Sequence, residues 1–173
     1  MRYNLAIIGF GLAAACGGGS APMPEPKEAV LRNSSGLDVG RVTLREHGER
    51  ISVRVRVTQL PAGYHGMHLH AVGRCDGPDF QSAGGHLNPG GQMKHGHKNP
   101  QGPHLGDLGN IHVGDDGRGD VTVEVQGAEA RSGMRTFLGN EGLAVVIHAA
   151  QDDELTDPSG SSGARVACAA IMP

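Results

Sequence analysis

The strongest constraint on how this chain can fold is alternation. In Ile51-Ser52-Val53-Arg54-Val55-Arg56-Val57 every second residue is apolar and the residues between are polar or charged. Side chains on a strand point to opposite faces in turn, so this run sets one face in a core and the other in water. Residues 39–45 precede it across the turn His47-Gly48-Glu49, and the two runs predict a hairpin. The same period continues through Gly63-Tyr64-His65-Gly66-Met67-His68-Leu69-His70-Ala71-Val72, entered by the turn Pro61-Ala62-Gly63. There the shared face carries His68 and His70, two imidazoles at a separation one metal ion can span.

Further short strands are predicted at residues 29–32, 108–113, 120–125, 143–148 and 164–171. Asn33-Ser34-Ser35-Gly36 and Asp115-Asp116-Gly117 are turns between them. Arg118-Gly119-Asp120 matches a cell-adhesion tripeptide and is read here as hairpin chemistry. With about eight strands and no helical pattern, the expectation is an all-β antiparallel sandwich or barrel. The composition agrees, since 29 Gly and only 3% aromatic residues suit tight turns better than long helices. At 173 residues the chain is long enough for one domain with a real core, and no internal repeat divides it. A net charge of −3 offers no general electrostatic reason to bind nucleic acid.

The amino end reads as a targeting segment, not as part of the fold. Met1-Arg2-Tyr3-Asn4 is a short positive head, and residues 5–15 form an apolar run too short to span a bilayer. Small residues lead into Cys16, so residues 1–16 are expected to be a signal peptide of lipoprotein type, with Cys16 lipidated after cleavage. Leu12 lies one position further from Cys16 than the usual pattern has it; the alternative is ordinary cleavage nearby. Residues 17–27, with Pro22, Pro24 and Pro26, are a flexible tether, and residues 28–173 are the domain. Setting Cys16 aside leaves Cys75 and Cys168, an even pair in an oxidising compartment. The expected location is the periplasm or cell envelope, with membrane contact only through the N-terminal lipid.

Residues 73–103 carry no periodicity and are dense in Gly, Pro, Asn and His, as is usual for a functional loop. Ten His in so short a chain direct attention to metals. His86, His95, His104 and Asp107 offer three imidazoles and a carboxylate, the donor set of a tetrahedral zinc site. His68, His70 and His148 are a second set of three imidazoles on strands, and an all-imidazole site suits copper. His86 stands between the sets in chain order, and its two ring nitrogens allow it to touch both metals.

Taken together these runs resemble copper–zinc superoxide dismutase of the exported bacterial kind. The matching stretches are His65-Gly66-Met67-His68-Leu69-His70, Ser82-Ala83-Gly84-Gly85-His86-Leu87-Asn88-Pro89 and Lys94-His95-Gly96. They continue with His104-Leu105-Gly106-Asp107-Leu108, Val145-Val146-Ile147-His148-Ala149 and Gly163-Ala164-Arg165-Val166-Ala167-Cys168. The resemblance implies an eight-stranded Greek-key barrel with a long metal-binding loop and a second, electrostatic loop at 151–163. It implies copper on His68, His70, His86 and His148, and zinc on His86, His95, His104 and Asp107. It further implies that Asp152 links a copper-side His to a zinc-side His, that Cys75 and Cys168 form a disulfide, and that Arg165 guides the superoxide anion. His86 and Arg165 are the expected catalytic residues; a monomer and a homodimer both remain open.

Other readings are set beside this one. His65 is expected to bond a backbone group, His97 and His112 to face solvent, and Met67 to pack. His97 lies close enough to His95 to capture stray metal. A copper- and zinc-holding delivery protein without turnover would not need Arg165 or a shared imidazole. A purely structural sandwich would not explain the ligand spacing.

Overall fold

The computed structural model describes residues 24–125 and 127–173. The expected signal segment, Cys16 and residues 17–23 of the tether lie outside the described residues. Eight strands form one antiparallel sheet: β1 (Lys27–Asn33), β2 (Asp38–His47), β3 (Arg50–Val57), β4 (Gly63–His70), β5 (Asp107–Val113), β6 (Gly119–Val125), β7 (Leu143–His148) and β8 (Arg165–Ile171). Their order is β5-β4-β7-β8-β1-β2-β3-β6. The sheet curls so that its end strands β5 and β6 lie against each other, giving a nearly closed barrel. Around that seam β7, β4, β5 and β6 follow in the order of a Greek key. β1 begins at Lys27, one residue before the expected domain boundary.

The alternation in β3 comes out as read. Ile51, Val53, Val55 and Val57 are buried in the barrel core, while Arg54 and Arg56 are exposed. Arg54 pairs outside with Asp120 of β6, its guanidinium donating two hydrogen bonds of 2.9 and 2.6 Å. In β4 the inward residues Met67 and Leu69 are fully buried in the same core. The packing role expected for Met67 therefore holds, and its neighbours His68 and His70 stand on the outer face. Ring nitrogens of His65, also buried, lie 2.8 Å from the carbonyl oxygen of His148 and 2.9 Å from that of Pro61. The backbone role expected of His65 is what these contacts describe.

One expectation needs correction. The chain is not free of helix: the β6–β7 connection contains α1 (Ala128–Arg131) and α2 (Met134–Leu138). Each is too short to print a helical period, which needs at least two turns to be visible. α2 forms because Met134, Phe137 and Leu138 share one buried face, and because Glu46 Oε2 accepts the N–H of Met134 at 2.9 Å. A 3-10 turn at Gln81–Ala83 also interrupts the long loop.

Candidate metal centre

Four separate stretches converge on the outside of the barrel. His68 and His70 project from β4. His148 ends β7, where it lies cross-strand from Arg165, the first residue of β8. His86 is drawn from the long loop by a single bridge to His70. The Cys75–Cys168 disulfide forms, as the resemblance implies, and fastens the start of that loop to β8. The electrostatic loop then closes over β4 at Gly66, where a side chain would meet Ser162 Cβ at 2.9 Å and Asp152 Cβ at 3.1 Å.

Each imidazole of the first set is held by one nitrogen and presents the other. His68 Nε2–H donates to Asp152 Oδ2 at 2.7 Å, His70 Nδ1–H to the Gly84 carbonyl at 2.9 Å, and His148 Nδ1–H to the Gly163 carbonyl at 3.0 Å. Carbonyl and carboxylate oxygens only accept, so these contacts select the tautomer and leave a lone pair on the opposite nitrogen. Those opposite atoms, His68 Nδ1, His70 Nε2 and His148 Nε2, are buried and have no protein partner. A buried polar atom without a partner costs about 1–3 kcal/mol, so three together need a compensating ligand. Donor atoms of His68, His70, His86 and His148 all lie within 4.8 Å of one another. The set fits a cation that prefers imidazole.

The second set surrounds Asp107. Its Oδ1 lies 2.9 Å from His86 Nδ1, 3.0 Å from His95 Nδ1 and 3.3 Å from His104 Nδ1. His86 Nδ1 and His104 Nδ1 are 3.4 Å apart. A regular tetrahedron with metal–nitrogen bonds of about 2.0–2.1 Å has edges of about 3.3–3.4 Å, so these four atoms stand close to the corners zinc requires. The other oxygen, Oδ2, accepts the backbone N–H groups of Gly96 at 2.8 Å and His104 at 2.9 Å. One carboxylate oxygen is thereby fixed and the other left to face the rings. His68 also lies near His86, His95 and Asp107. Its Nε2 is committed to Asp152, however, and His104 closes the fourth corner.

Two residues tie the sets together. His86 belongs to both, with Nδ1 turned to Asp107 and Nε2 left for the other side; its ring stacks on His68 with centroids 3.9 Å apart. Asp152, 1% exposed, accepts His68 Nε2–H on Oδ2 and His95 Nε2–H on Oδ1 at 2.9 Å. At Gly160, in the left-handed region (φ +64°), a side chain would collide with that carboxylate and with His95.

The electrostatics match the contacts. Burial lowers His68 to about 3 against the pull of Asp152, His70 to about 2 and His148 to about 4. All three rings are therefore neutral at physiological pH, with free lone pairs. Burial disfavours charge on His95 too, but Asp107 and Asp152 outweigh it and raise the ring to about 9. Burial opposes ionisation of both carboxyls, yet their hydrogen bonds hold them well below the usual carboxylate range. Two buried carboxylates among neutral rings make this the place where a divalent cation offsets the local charge.

Arg165 is half-buried at a cleft of about 240 Å³ that it shares with His70, His86, His148 and Gln81. Its guanidinium donates to the carbonyls of Phe80 and Gly84, each at 2.7 Å. Neither partner is an anion, so the positive charge stays available to one. His97 and His112 are exposed, the latter against the ring of Tyr64.

Sequence reasoning missed several supports. Asn110 of β5 donates from Nδ2 to the Asp152 carbonyl at 2.9 Å and accepts the Asp152 N–H on Oδ1 at 2.8 Å. This two-point clamp holds the backbone of the residue that joins the sets. Asp157 accepts the His95 N–H at 2.8 Å. Nothing local marks either residue; Asn110 is one polar residue on an alternating strand. Asn110→Ala is expected to weaken metal retention about ten- to a hundredfold, the usual cost of losing a group that orients ligands. Chelator competition on the loaded protein measures it, and unchanged retention would show that the clamp is dispensable.

With this geometry described, residues 39–171 match the family model described as copper/zinc superoxide dismutase (SODC). The chain is 38% identical over 145 residues to superoxide dismutase (Cu-Zn) 1 of Aquifex aeolicus (strain VF5), spanning 83% of this chain and 85% of that protein. It is 39% identical over 145 residues to the superoxide dismutase-like protein YojM of Bacillus subtilis (strain 168), spanning 82% and 74% of the two chains. Among solved structures, a double mutant of a SOD-like protein from Bacillus subtilis superposes with a TM-score of 0.75 at 37% identity, over 84% of this chain and 97% of that one.

Proposed function

The chain belongs to the copper/zinc superoxide dismutase family, and on that premise we propose that it converts superoxide to dioxygen and hydrogen peroxide. In this reading His68, His70, His86 and His148 hold copper, and His86, His95, His104 and Asp107 hold zinc. Relatives of nearly equal identity bear the names dismutase and dismutase-like, so the reading turns on the donors of this chain. The observation that carries it is the convergence of three buried, unpartnered imidazole nitrogens beside a fourth ring that also belongs to the Asp107 set.

When bound, copper supplies the one-electron oxidation and reduction of superoxide, and zinc a fixed positive charge beside it. The protein's own residues do the rest. Two superoxide anions and two protons give one dioxygen and one hydrogen peroxide, so the site must attract anions and supply protons. Arg165 attracts the anion: its guanidinium is anchored by two carbonyls and faces the same cleft as His70, His86 and His148. His68, His70 and His148 are poor proton carriers near neutrality because burial holds their pKa values at about 3, 2 and 4. His86 Nε2 is the nitrogen able to hold a proton and pass it to departing peroxide. The second proton comes from water in the open cleft.

The test is dismutation by the protein loaded with both metals, across ionic strengths. Arg165→Ala is expected to slow the reaction about tenfold or more and to flatten its salt dependence, because a fixed charge steering a small anion is screened by salt. A rate and salt profile equal to wild type would remove the guidance role. A loaded wild-type protein with no dismutation would leave the copper- and zinc-holding reading in its place.

The same reading places the protein in the cell envelope, anchored through lipid on Cys16. The apolar run at residues 5–15 supports export, and a disulfide between Cys75 and Cys168 suits an oxidising compartment. The mass of the mature N-terminus decides it: diacylated Cys16 supports the anchor, and an unmodified N-terminus elsewhere refutes it.

A further inference from the structure

The centre has two openings of opposite electrostatic character. The cleft at Arg165 reaches His70, His86 and His148, and its one formal charge is the guanidinium. A second groove, of about 480 Å³, reaches His104 and Asp107 from the other side. Its walls come from the metal loop, with Met93 and His97, and from β6 and α1, with Val123, Glu124 and Glu129. No Lys or Arg lines it. A cation approaching through the cleft meets Arg165; one approaching through the groove meets carboxylates and an imidazole.

The side chains of the zinc set differ in access. His104 is 8% exposed, whereas His95 is 0% and Asp107 1% exposed. His95 is shut in by Asp107 and Asp152 on its two ring nitrogens and by Asp157 on its backbone. His86, at 6%, faces the copper-side cleft. His104 is thus the corner of the set that the groove can reach. His97 stands exposed on the same wall, belongs to neither donor group and has no part in the proposed reaction.

We infer that this groove is the route by which zinc enters and leaves, with His97 as a relay ligand that captures the ion before His104 receives it. The inference rests on the zinc assignment above. Zinc exchanges imidazole and carboxylate ligands readily, and a buried metal site needs an entry path. A relay outside the final coordination shell lowers the barrier in both directions and leaves the end states alone. Its removal must therefore slow uptake and release in equal proportion.

The experiment follows zinc passing from the loaded protein to a chromogenic chelator, and zinc uptake by the zinc-depleted protein. His97→Gln is expected to slow both about tenfold with the dissociation constant and the zinc stoichiometry unchanged. Met93→Trp, at an exposed rim position, should narrow the groove and slow both as well. Unchanged rates in both variants would overturn the inference. So would a weaker zinc affinity or a lost equivalent of zinc in His97→Gln, since His97 would then be a ligand and not a relay. Faster zinc exchange in Arg165→Ala, with His97→Gln unaffected, would route zinc through the copper-side cleft instead. A wild-type chain that bound no zinc would remove the zinc assignment itself, a failure distinguishable from all of these.

Discussion

His148→Gln is expected to lower dismutation by roughly a thousandfold or more, about 4 kcal/mol at the barrier, while zinc stays bound. His148 contributes one of three buried nitrogens that have no protein partner, and no atom to the cluster around Asp107. Glutamine keeps roughly the volume and can still donate to the Gly163 carbonyl, but it has no imidazole lone pair to offer. Metal analysis should show copper reduced and zinc near one equivalent, alongside the lost activity. Wild-type turnover in this variant would show that copper is not held where His68, His70 and His148 converge. Loss of both metals together would instead show that the two sets do not hold their metals independently.

Cys75→Ser is expected to be the most destabilising single change at the loop. The disulfide joins residues 93 apart in sequence. On the chain-entropy account, cross-linking a loop of that length stabilises the fold by about 4–5 kcal/mol. In a domain of this size each kcal/mol moves the melting temperature by about 2–4 °C, so a fall of about 10–20 °C should follow. Cys75 is the better choice for the test because Cys168 is almost fully buried in a small cluster with Phe80, Ala83, Ala144 and Val146. Activity should fall as well. Phe80 and Gly84, whose carbonyls hold the Arg165 guanidinium, lie on the segment that the disulfide fastens to β8. An unchanged melting temperature would mean that the metals and the packing of Phe80 and Ala83 already hold the loop. Unchanged activity in a destabilised variant would separate the anchoring of Arg165 from the disulfide.

The strands were legible because their signal is local. A period of two over Ile51–Val57 or across β4 states which residues face the core, and the barrel buries Val53, Val55, Met67 and Leu69 accordingly. The helical turns at Ala128–Arg131 and Met134–Leu138 were not legible, since four or five residues cannot print a period. The residues of the centre could be picked out because imidazole and carboxylate side chains are few, chemically distinctive and spaced along the chain in a specific pattern. The structure brings His68, His70, His86 and His148 together, and gathers His86, His95 and His104 around Asp107.

What the sequence determined by itself was therefore side-chain chemistry and local direction: which donors exist, and that His68 and His70 leave one face of one strand. The tertiary structure decided which nitrogen of each ring turns inward, how Asn110 and Asp157 brace the loops, and that the centre opens on two sides of opposite charge. Those choices depend on the carbonyl oxygens of Gly84, Gly163, Phe80 and His148. Every residue has a carbonyl, so no residue type announces one that anchors a ring or a guanidinium. Only the folded path of the backbone puts it within hydrogen-bonding distance.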